Sequence, residues 1–205
     1  MRKYLNLIVA LGIIAPFAAS ADTVSLPPTD DACVSEISPT SNYGGLSYLL
    51  VGYTALRGGR LNTLIKFDLS GYADATINSA YIRLRVYDSW GDFPTDEIYV
   101  VRNDADWDED TVTWDNKPGF DGPSLGLPAP GELDWWEVYV TDFVQGIVDG
   151  TYDNYGFQIY KNDPDFAGFY IYSKESIAFN PTLELDYTPT AVESASLGQV
   201  KAAFR

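Results

Sequence analysis

Cationic and aromatic side chains alternate with apolar ones in two stretches of this 205-residue chain. The candidate binding residues are Tyr81, Arg83, Arg85 and Tyr87 in the first stretch and Tyr170, Tyr172 and Lys174 in the second. Arginine and lysine form charge-assisted hydrogen bonds with carboxylates, and an aromatic ring offers an apolar face on which a sugar can stack. The pattern therefore predicts a surface that binds sugars with carboxylate groups.

A third stretch, residues 65–69, adds Lys66 to this predicted surface. Its apolar residues, Ile65, Phe67 and Leu69, alternate with charged ones, which is the period of a strand with one face in a core and one in water. Such a strand is stable only beside other strands and under a second sheet. We therefore predict that Lys66 points outward from the strand around which the rest of the chain is organised.

The alternative for these polar positions is an ordinary solvated sheet face. Cross-strand ion pairs, such as Lys66 with Glu175 or Arg83 with Asp68, would then account for the charges. The two interpretations differ in whether the cations remain available to a ligand.

Two adjacent tryptophans supply one more candidate for sugar stacking. Trp135 and Trp136 must point to opposite faces if they lie on a strand. If Val138 and Val140 point inward, Trp136 is buried with them and Trp135 points outward. An outward tryptophan combines a large apolar ring with a polar edge, so we add Trp135 to the predicted binding residues.

Acidic loops are the candidates for a metal site. The predicted ligands are Asp104, Asp106, Asp108, Asp163 and Asp165. A helical Ca²⁺-binding hand is excluded for the first loop, because Glu109 stands where that motif requires glycine and its final glutamate is missing. A β-sandwich can still bind Ca²⁺ through scattered oxygen atoms, so we expect a structural Ca²⁺ site as one use of these aspartates.

Charge and composition exclude several classes of function. The formal net charge is −16, from 13 basic and 29 acidic residues, so nucleic acid is not an expected partner. The chain has no histidine, which excludes Ser-His-Asp, Cys-His and His-zinc chemistry. Cys33 is the single cysteine, so no internal disulfide can form, and we predict that it is a small core residue.

The ends of the chain differ from its middle. Residues 1–21 combine a basic start, an apolar run and a small-residue cleavage site, which predicts a signal peptide and a secreted, extracellular or cell-surface location. No later apolar run is long enough to span a membrane. Residues 22–189 form the predicted domain. The tail, 190–205, is either a frayed end or a short amphipathic helix recognised by export or attachment machinery.

Short apolar segments separated by turn residues define the predicted fold. The predicted strands are Ala32 to Ile37, Ser47 to Tyr53, Thr63 to Leu69, Ile77 to Tyr87, Glu97 to Asn103, Thr111 to Trp114, Trp135 to Val140, Tyr155 to Lys161, Gly168 to Lys174 and Thr182 to Thr188. One short helix is predicted over Asp142 to Asp149, capped by Thr141 and ended by Gly150. The fold class is therefore all-β, an antiparallel β-sandwich like a jelly roll with one short helix.

Several blocks of the sequence, taken in order, resemble a known family. They are Asp31 with Asn42-Tyr43-Gly44, Leu49 to Gly52, Leu64 to Ser70, Trp107-Asp108-Glu109, Thr111 to Pro118, Val140-Thr141, Gly150, Asn154 to Phe157, Ser173-Lys174-Glu175 and Pro181-Thr182-Leu183. This order resembles the DNRLRE domain, a disaggregatase-related β-sandwich also classed as carbohydrate-binding module family 96. The resemblance implies a secreted or surface domain, alone or attached to polysaccharide-degrading enzymes, with affinity for acidic glycans such as alginate.

Function is therefore predicted as non-catalytic binding of an extracellular, anionic polysaccharide. The main alternative is a structural or adhesive surface or matrix protein that assembles through the same sandwich. An enzyme would need a tyrosine base with a cation, as in a polysaccharide lyase, or a pair of carboxylates, as in a glycosidase. The sequence offers many such residues and distinguishes none of them.

Overall fold

The computed structural model describes residues 20–54, 58–91 and 97–190. The predicted signal peptide, except for its last two residues, and the predicted tail, except for Thr190, lie outside the described residues. Within the described ranges, no helix is long and apolar enough to cross a membrane.

The described residues form eleven strands, one α-helix and one 3-10 helix. The strands are β1 (Asp22–Leu26), β2 (Pro28–Ser35), β3 (Tyr48–Thr54), β4 (Gly59–Phe67), β5 (Thr76–Gly91), β6 (Glu97–Asn103), β7 (Phe120–Pro128), β8 (Trp135–Tyr139), β9 (Phe157–Lys161), β10 (Ala167–Tyr172) and β11 (Thr182–Thr188). The α-helix α1 is Thr141–Val148, and the 3-10 helix is Ser70–Tyr72.

All of the strand pairs are antiparallel, and the long strand β5 connects two layers. Its first part pairs with β11 and β8, and β1 extends that sheet beyond β11. Its last part pairs with β10, from which the other sheet continues through β3, β4, β9, β6 and β7, while β2 also pairs with β4. The predicted all-β antiparallel sandwich is confirmed.

Apolar residues on alternate positions of β5 form the centre of the main core. Ala80, Ile82, Leu84 and Val86 are fully buried, whereas the residues between them are half-exposed, as the alternation predicted. The buried residues pack with those of the facing sheet in one continuous cluster. Removal of this apolar surface from water stabilises the two-layer arrangement.

A second, smaller core lies on the other side of β2 and β4. Leu64 of β4 packs there with Ala32, Val34, Trp107 and Val112, and the last two belong to a loop that covers the sheet. The prediction that the polar face of residues 65–69 lies in water is confirmed for Asp68, which is exposed, and is wrong for Lys66. The loop covers the face on which Lys66 lies, and that side chain keeps only 16% of its surface exposed.

Nine of the ten predicted strands overlap observed ones, but Thr111 to Trp114 does not form a strand. The side chain of Asn116 closes a turn there, because its Oδ1 accepts hydrogen bonds from the backbone N and the hydroxyl of Thr113, at 2.6 and 3.1 Å. Strands β1 and β7 were not predicted. The first is short and largely exposed, and the second contains glycines and prolines that indicated turns.

The predicted helix is confirmed over Thr141–Val148, and three of its apolar residues, Phe143, Val144 and Val148, join the main core. Gly150 follows the helix with φ +76°, the left-handed conformation expected at a helix exit. The capping role predicted for Thr141 is wrong. Its hydroxyl instead accepts a hydrogen bond from the backbone N of Ala80 at 3.0 Å, which attaches the helix to β5.

Candidate functional site

A band of rings and guanidinium groups runs along the outer face of β5, β8 and β10. We call it the aromatic-arginine strip. Its members are Tyr48, Tyr81, Arg83, Arg85, Tyr87, Trp90, Trp135, Tyr139, Tyr170, Tyr172 and Phe179. The strip includes seven of the nine predicted sugar-binding residues, because strand alternation sends them all to the same outer face.

Trp135 lies at the centre of the strip, beside both arginines. Its β8 position pairs with Arg85 of β5, and the guanidinium carbon of Arg83 lies 4.2 Å from the centre of its ring. The guanidinium carbon of Arg85 is 6.0 Å from the same ring, and Arg85 also forms an ion pair with Asp134. The predicted orientations are confirmed, since Trp136 is buried and Trp135 points outward.

Tyrosines extend the strip towards β10. The rings of Tyr87 and Tyr172 are stacked, with centroids 4.3 Å apart and an interplanar angle of 28°. Tyr170 lies 5.8 Å from Tyr87 and 5.6 Å from Tyr48 of β3. Burial, together with the neighbouring phenols, raises the pKa of Tyr87 to about 12, so this hydroxyl stays neutral at physiological pH. The stacked rings therefore form an uncharged part of the surface.

Phe179 joins the two parts of the strip, and sequence reasoning missed it. Its ring centroid lies 6.1 Å from that of Trp135 and 5.6 Å from that of Tyr172. The residue is 51% exposed and has φ +64°, a left-handed conformation that is unfavourable for a bulky side chain. The only sequence signal is an apolar run, Ile177 to Phe179, between polar turn residues.

Three other aromatic members, Tyr139, Tyr48 and Trp90, were also outside the predicted binding residues. Tyr139 lies opposite Tyr81 in the sheet, with ring centroids 5.5 Å apart, and the period of β8 could have placed it outward with Trp135. Tyr48 begins β3, and only the pairing of β3 with β10 brings it to Tyr170. The first residue had a local signal, whereas the second depended on strand order.

The two arginines differ in how far the protein neutralises them. Arg83 forms no ion pair with any described residue, since its guanidinium lies over the ring of Trp135 and its cross-strand neighbour Glu137 accepts a hydrogen bond from Tyr139. Arg85 has one carboxylate partner, Asp134, which is itself more than half exposed. A carboxylate ligand can therefore approach Arg83 without displacing an acidic side chain.

Lys66 lies away from the strip, beneath the loop that covers β4. Its ammonium donates to Asp106 at 2.8 Å and to the carbonyl oxygen of Trp107 at 3.0 Å, and lies 3.8 Å from Asp30. These residues line a cavity of about 540 Å³. The hydrogen bond from Lys66 holds the pKa of Asp106 below its usual value. The sequence suggested Glu175 as a partner of Lys66, but its carboxylate partners in the structure are Asp30 and Asp106.

Lys174 also lies outside the strip. It contacts three acidic residues, Asp31, Glu109 and Glu175, which we call the carboxylate cluster. One oxygen atom from each of the three side chains lies within 4.8 Å of the others. The Lys174 ammonium is 2.8 Å from Glu109 and 2.6 Å from Glu175, and its backbone N donates to Asp31 at 2.7 Å. Sequence reasoning assigned none of the three acids to a site.

Burial sets the electrostatics of the carboxylate cluster. It raises the pKa of Asp31 to about 8 and that of Glu109 to about 7. Burial acts in the same direction on Glu175, but hydrogen bonds from Lys174 and Ser173 hold its pKa below the usual value. Burial alone would lower the pKa of Lys174, and its bonds to the two glutamates raise it instead. The cluster therefore concentrates acidic groups around one ammonium.

A turn near the start of the domain holds Glu109 in position. The Asn42 side chain donates to the carbonyl oxygens of Glu109 and Val112 at 2.7 and 2.8 Å. Gly44 lies so close that a Cβ there would come within 2.3 Å of the Glu109 carbonyl oxygen. The turn composition was evident in the sequence, but its partner lies more than sixty residues away along the chain.

The five aspartates predicted as metal ligands are separated in the structure. Asp106 pairs with Lys66, and the ammonium of buried Lys161 donates to the carboxylate of Asp165 and to the backbone carbonyl oxygen of Asp163. Asp108 accepts the backbone N of residue 110 at 3.0 Å, and Asp104 lies against Gly119. Among the residues that the structure describes, no three of these five bring their oxygens within 4.8 Å of one another. Their role in metal binding stays a prediction.

Comparison with known proteins connects this geometry to a family. The model of carbohydrate-binding module family 96 matches residues 22–187, which include every strand described above except for the last residue of β11. A segment of 106 residues, 50% of this chain, is 36% identical to part of a gellan lyase from a Bacillus species. This chain spans only 4% of the length of that enzyme. The protein belongs to carbohydrate-binding module family 96.

Proposed function

We propose that this protein is a secreted, non-catalytic module that binds an extracellular polysaccharide with carboxylate groups through the aromatic-arginine strip. The observation that carries the proposal is the pair formed by Arg83 and Trp135. The guanidinium carbon lies 4.2 Å from the ring centroid, and Arg83 forms no ion pair within the described part of the chain. A ring and a cation are thus presented together to solvent.

The charge of the whole chain makes this local arrangement necessary for an acidic ligand. A protein with a formal charge of −16 repels a polyanion at long range. Close contact therefore requires cations that the protein's own acids leave available, and Arg83 meets this requirement. Guanidinium groups bind carboxylates with two parallel hydrogen bonds, while the neighbouring rings provide apolar faces for the sugar.

The relative supports the polysaccharide as ligand class. That relative is named as a lyase that acts on gellan, which is a polysaccharide. The matching segment is a small fraction of that enzyme, which is consistent with an accessory binding domain. We therefore expect binding to gellan or alginate without cleavage.

Affinity electrophoresis in gels that contain alginate, gellan or a neutral glucan tests this proposal. Migration should be retarded by the two acidic polymers and not by the glucan, and retardation should decrease as salt rises, because exposed ion pairs are screened. The polymers recovered after incubation should keep their length. Equal retardation by the neutral glucan, or shortened polymers, would contradict the proposal.

A pair of tryptophan variants locates the site. Trp135→Ala removes the central ring of the strip, and we expect a loss of about 2 kcal/mol in binding, roughly thirtyfold in affinity. Trp114→Ala is the matched control, because Trp114 is a half-exposed tryptophan with the Lys117 ammonium 5.1 Å from its ring centre, outside the strip. Equal losses in both variants would remove the strip from the binding site.

A further inference from the structure

The carboxylate cluster joins three segments that are far apart in sequence. Asp31 belongs to β2, Glu109 to the loop that covers the second core, and Glu175 to the turn after β10. Their nearest oxygens lie within 4.8 Å of one another, a spacing at which each can contact the same ion. The arrangement thus brings ligands from several directions to one point.

An unsatisfied buried oxygen is the second observation at this position. Asp31 has no exposed surface, and its Oδ1 has no hydrogen-bond partner among the described residues, while Oδ2 accepts from the Lys174 backbone. Oε2 of Glu175 is likewise inaccessible and unpartnered. A buried carboxylate oxygen without a partner is costly, since it has lost its water and gained nothing in exchange. Both atoms therefore lack a positive partner.

The local charges show what kind of partner is missing. Three carboxylates share one ammonium, that of Lys174, whose partners among the described residues are Glu109 and Glu175. When all three carboxylates are ionised, a divalent cation balances the two negative charges that this ammonium leaves, and it replaces the protons that burial otherwise retains on Asp31 and Glu109. Carboxylate oxygens are the ligands that hard cations such as Ca²⁺ prefer, and Ca²⁺ accepts irregular geometry and additional water ligands.

We propose that Asp31, Glu109 and Glu175 bind a divalent cation of the Ca²⁺ class, in competition with the ammonium of Lys174. The Lys174 side chain is 26% exposed, so its long, flexible stem can turn into solvent when the cation enters. The bound cation joins β2, the covering loop and the turn after β10. This site differs from the five aspartates predicted from the sequence.

Calorimetric titration of the full chain with CaCl₂, after treatment with EDTA, tests the site directly. The wild-type protein should show saturable binding, and its melting temperature should rise with the concentration of Ca²⁺, because a ligand that binds the folded state stabilises it. Asp31→Asn keeps the shape of the side chain and should weaken binding by about tenfold or more, through loss of a charged ligand. Asp163→Asn with Asp165→Asn is the matched control and should bind as the wild type does.

Lys174→Met provides a variant with the opposite expected sign. It removes the competing ammonium, so Ca²⁺ affinity should increase, and the melting temperature should be lower than wild type in EDTA but recover in Ca²⁺. This variant also decides the matter if Asp31→Asn fails to fold. Absence of heat and of a thermal shift in both wild type and Lys174→Met would overturn the proposal, as would binding lost in the Asp163 and Asp165 variant but retained in Asp31→Asn.

Discussion

The aromatic-arginine strip and the carboxylate cluster meet on one segment, β10 and the turn after it, yet their charged groups are of opposite sign. Tyr170 and Tyr172 of β10 belong to the strip, where Arg83 has no acidic partner among the described residues. The next residues, Lys174 and Glu175, belong to the region where three carboxylates share one ammonium. The first region therefore holds a cation without an acid paired to it, and the second brings three acids to one cation.

We therefore expect the position of a cation to decide the binding of an acidic ligand more than the number of cations does. Most of the described cations are bound by carboxylates of the protein itself, as are Lys66, Arg102 and Lys161. Such pairs stabilise the loops that they connect, but they offer little to a ligand. Arg83 forms no such pair with a described residue, although Glu137 lies opposite it in the sheet, and its guanidinium contacts the ring of Trp135 instead.

The largest effect on stability is expected at the turn that supports the carboxylate cluster. A methyl group at Gly44 would come within 2.3 Å of the Glu109 carbonyl oxygen, so Gly44→Ala must displace the covering loop. We expect a decrease of about 1–3 kcal/mol in the free energy of unfolding, measured by chemical denaturation.

Gly45→Ala is the control for this change, since no atom lies within 4 Å of the Cβ that it would add. Its stability should equal that of the wild type or slightly exceed it. Binding to alginate should be retained in both variants, because the strip does not include this turn. Similar stabilities for the two variants would show that the loop does not depend on its contact with Gly44.

A smaller effect of different origin is expected in the strip, at Phe179. Phe179→Ala and Phe179→Gly both remove the ring that joins Trp135 to Tyr172, so both should weaken polysaccharide binding to the same extent. Glycine adopts the observed φ of +64° without strain, whereas alanine does not. The glycine variant should therefore be the more stable of the two by about 1 kcal/mol in thermal or chemical unfolding. Equal stability of the two variants would mean that residue 179 does not adopt this positive φ in solution.

Sequence periodicity predicted the outward side chains of the strip that lie on β5 and β8, but it did not predict the carboxylate cluster. The alternation in β5 predicted which of its side chains point outward, and the neighbouring Val138 and Val140 assigned the faces of Trp135 and Trp136. These inferences hold because a strand has a fixed period of two. Phe179 escaped prediction because it lies in a turn, where no period applies.

Lys66 and Lys174 were assigned to the wrong surroundings for a related reason. Their outward positions on strands suggested a solvated face, but a loop with two buried hydrophobic residues, Trp107 and Val112, covers one of them. The pairing of Lys174 with Glu109 joins residues that only the folded chain brings together. Loop placement depends on contacts over long separations, which short-range patterns do not contain.

The central claim, that the position of the cations determines binding, is tested most directly by two double variants with the same change in charge. One is Arg83→Gln with Arg85→Gln, in the strip, and the other is Arg60→Gln with Lys66→Gln, outside it. Each exposed charge pair contributes about 0.2–1 kcal/mol, so the strip variant should lose about two- to thirtyfold in affinity for alginate, measured by calorimetry, while the other variant binds as the wild type does. Equal losses in the two variants, or a loss confined to the Arg60 and Lys66 variant, would contradict the account.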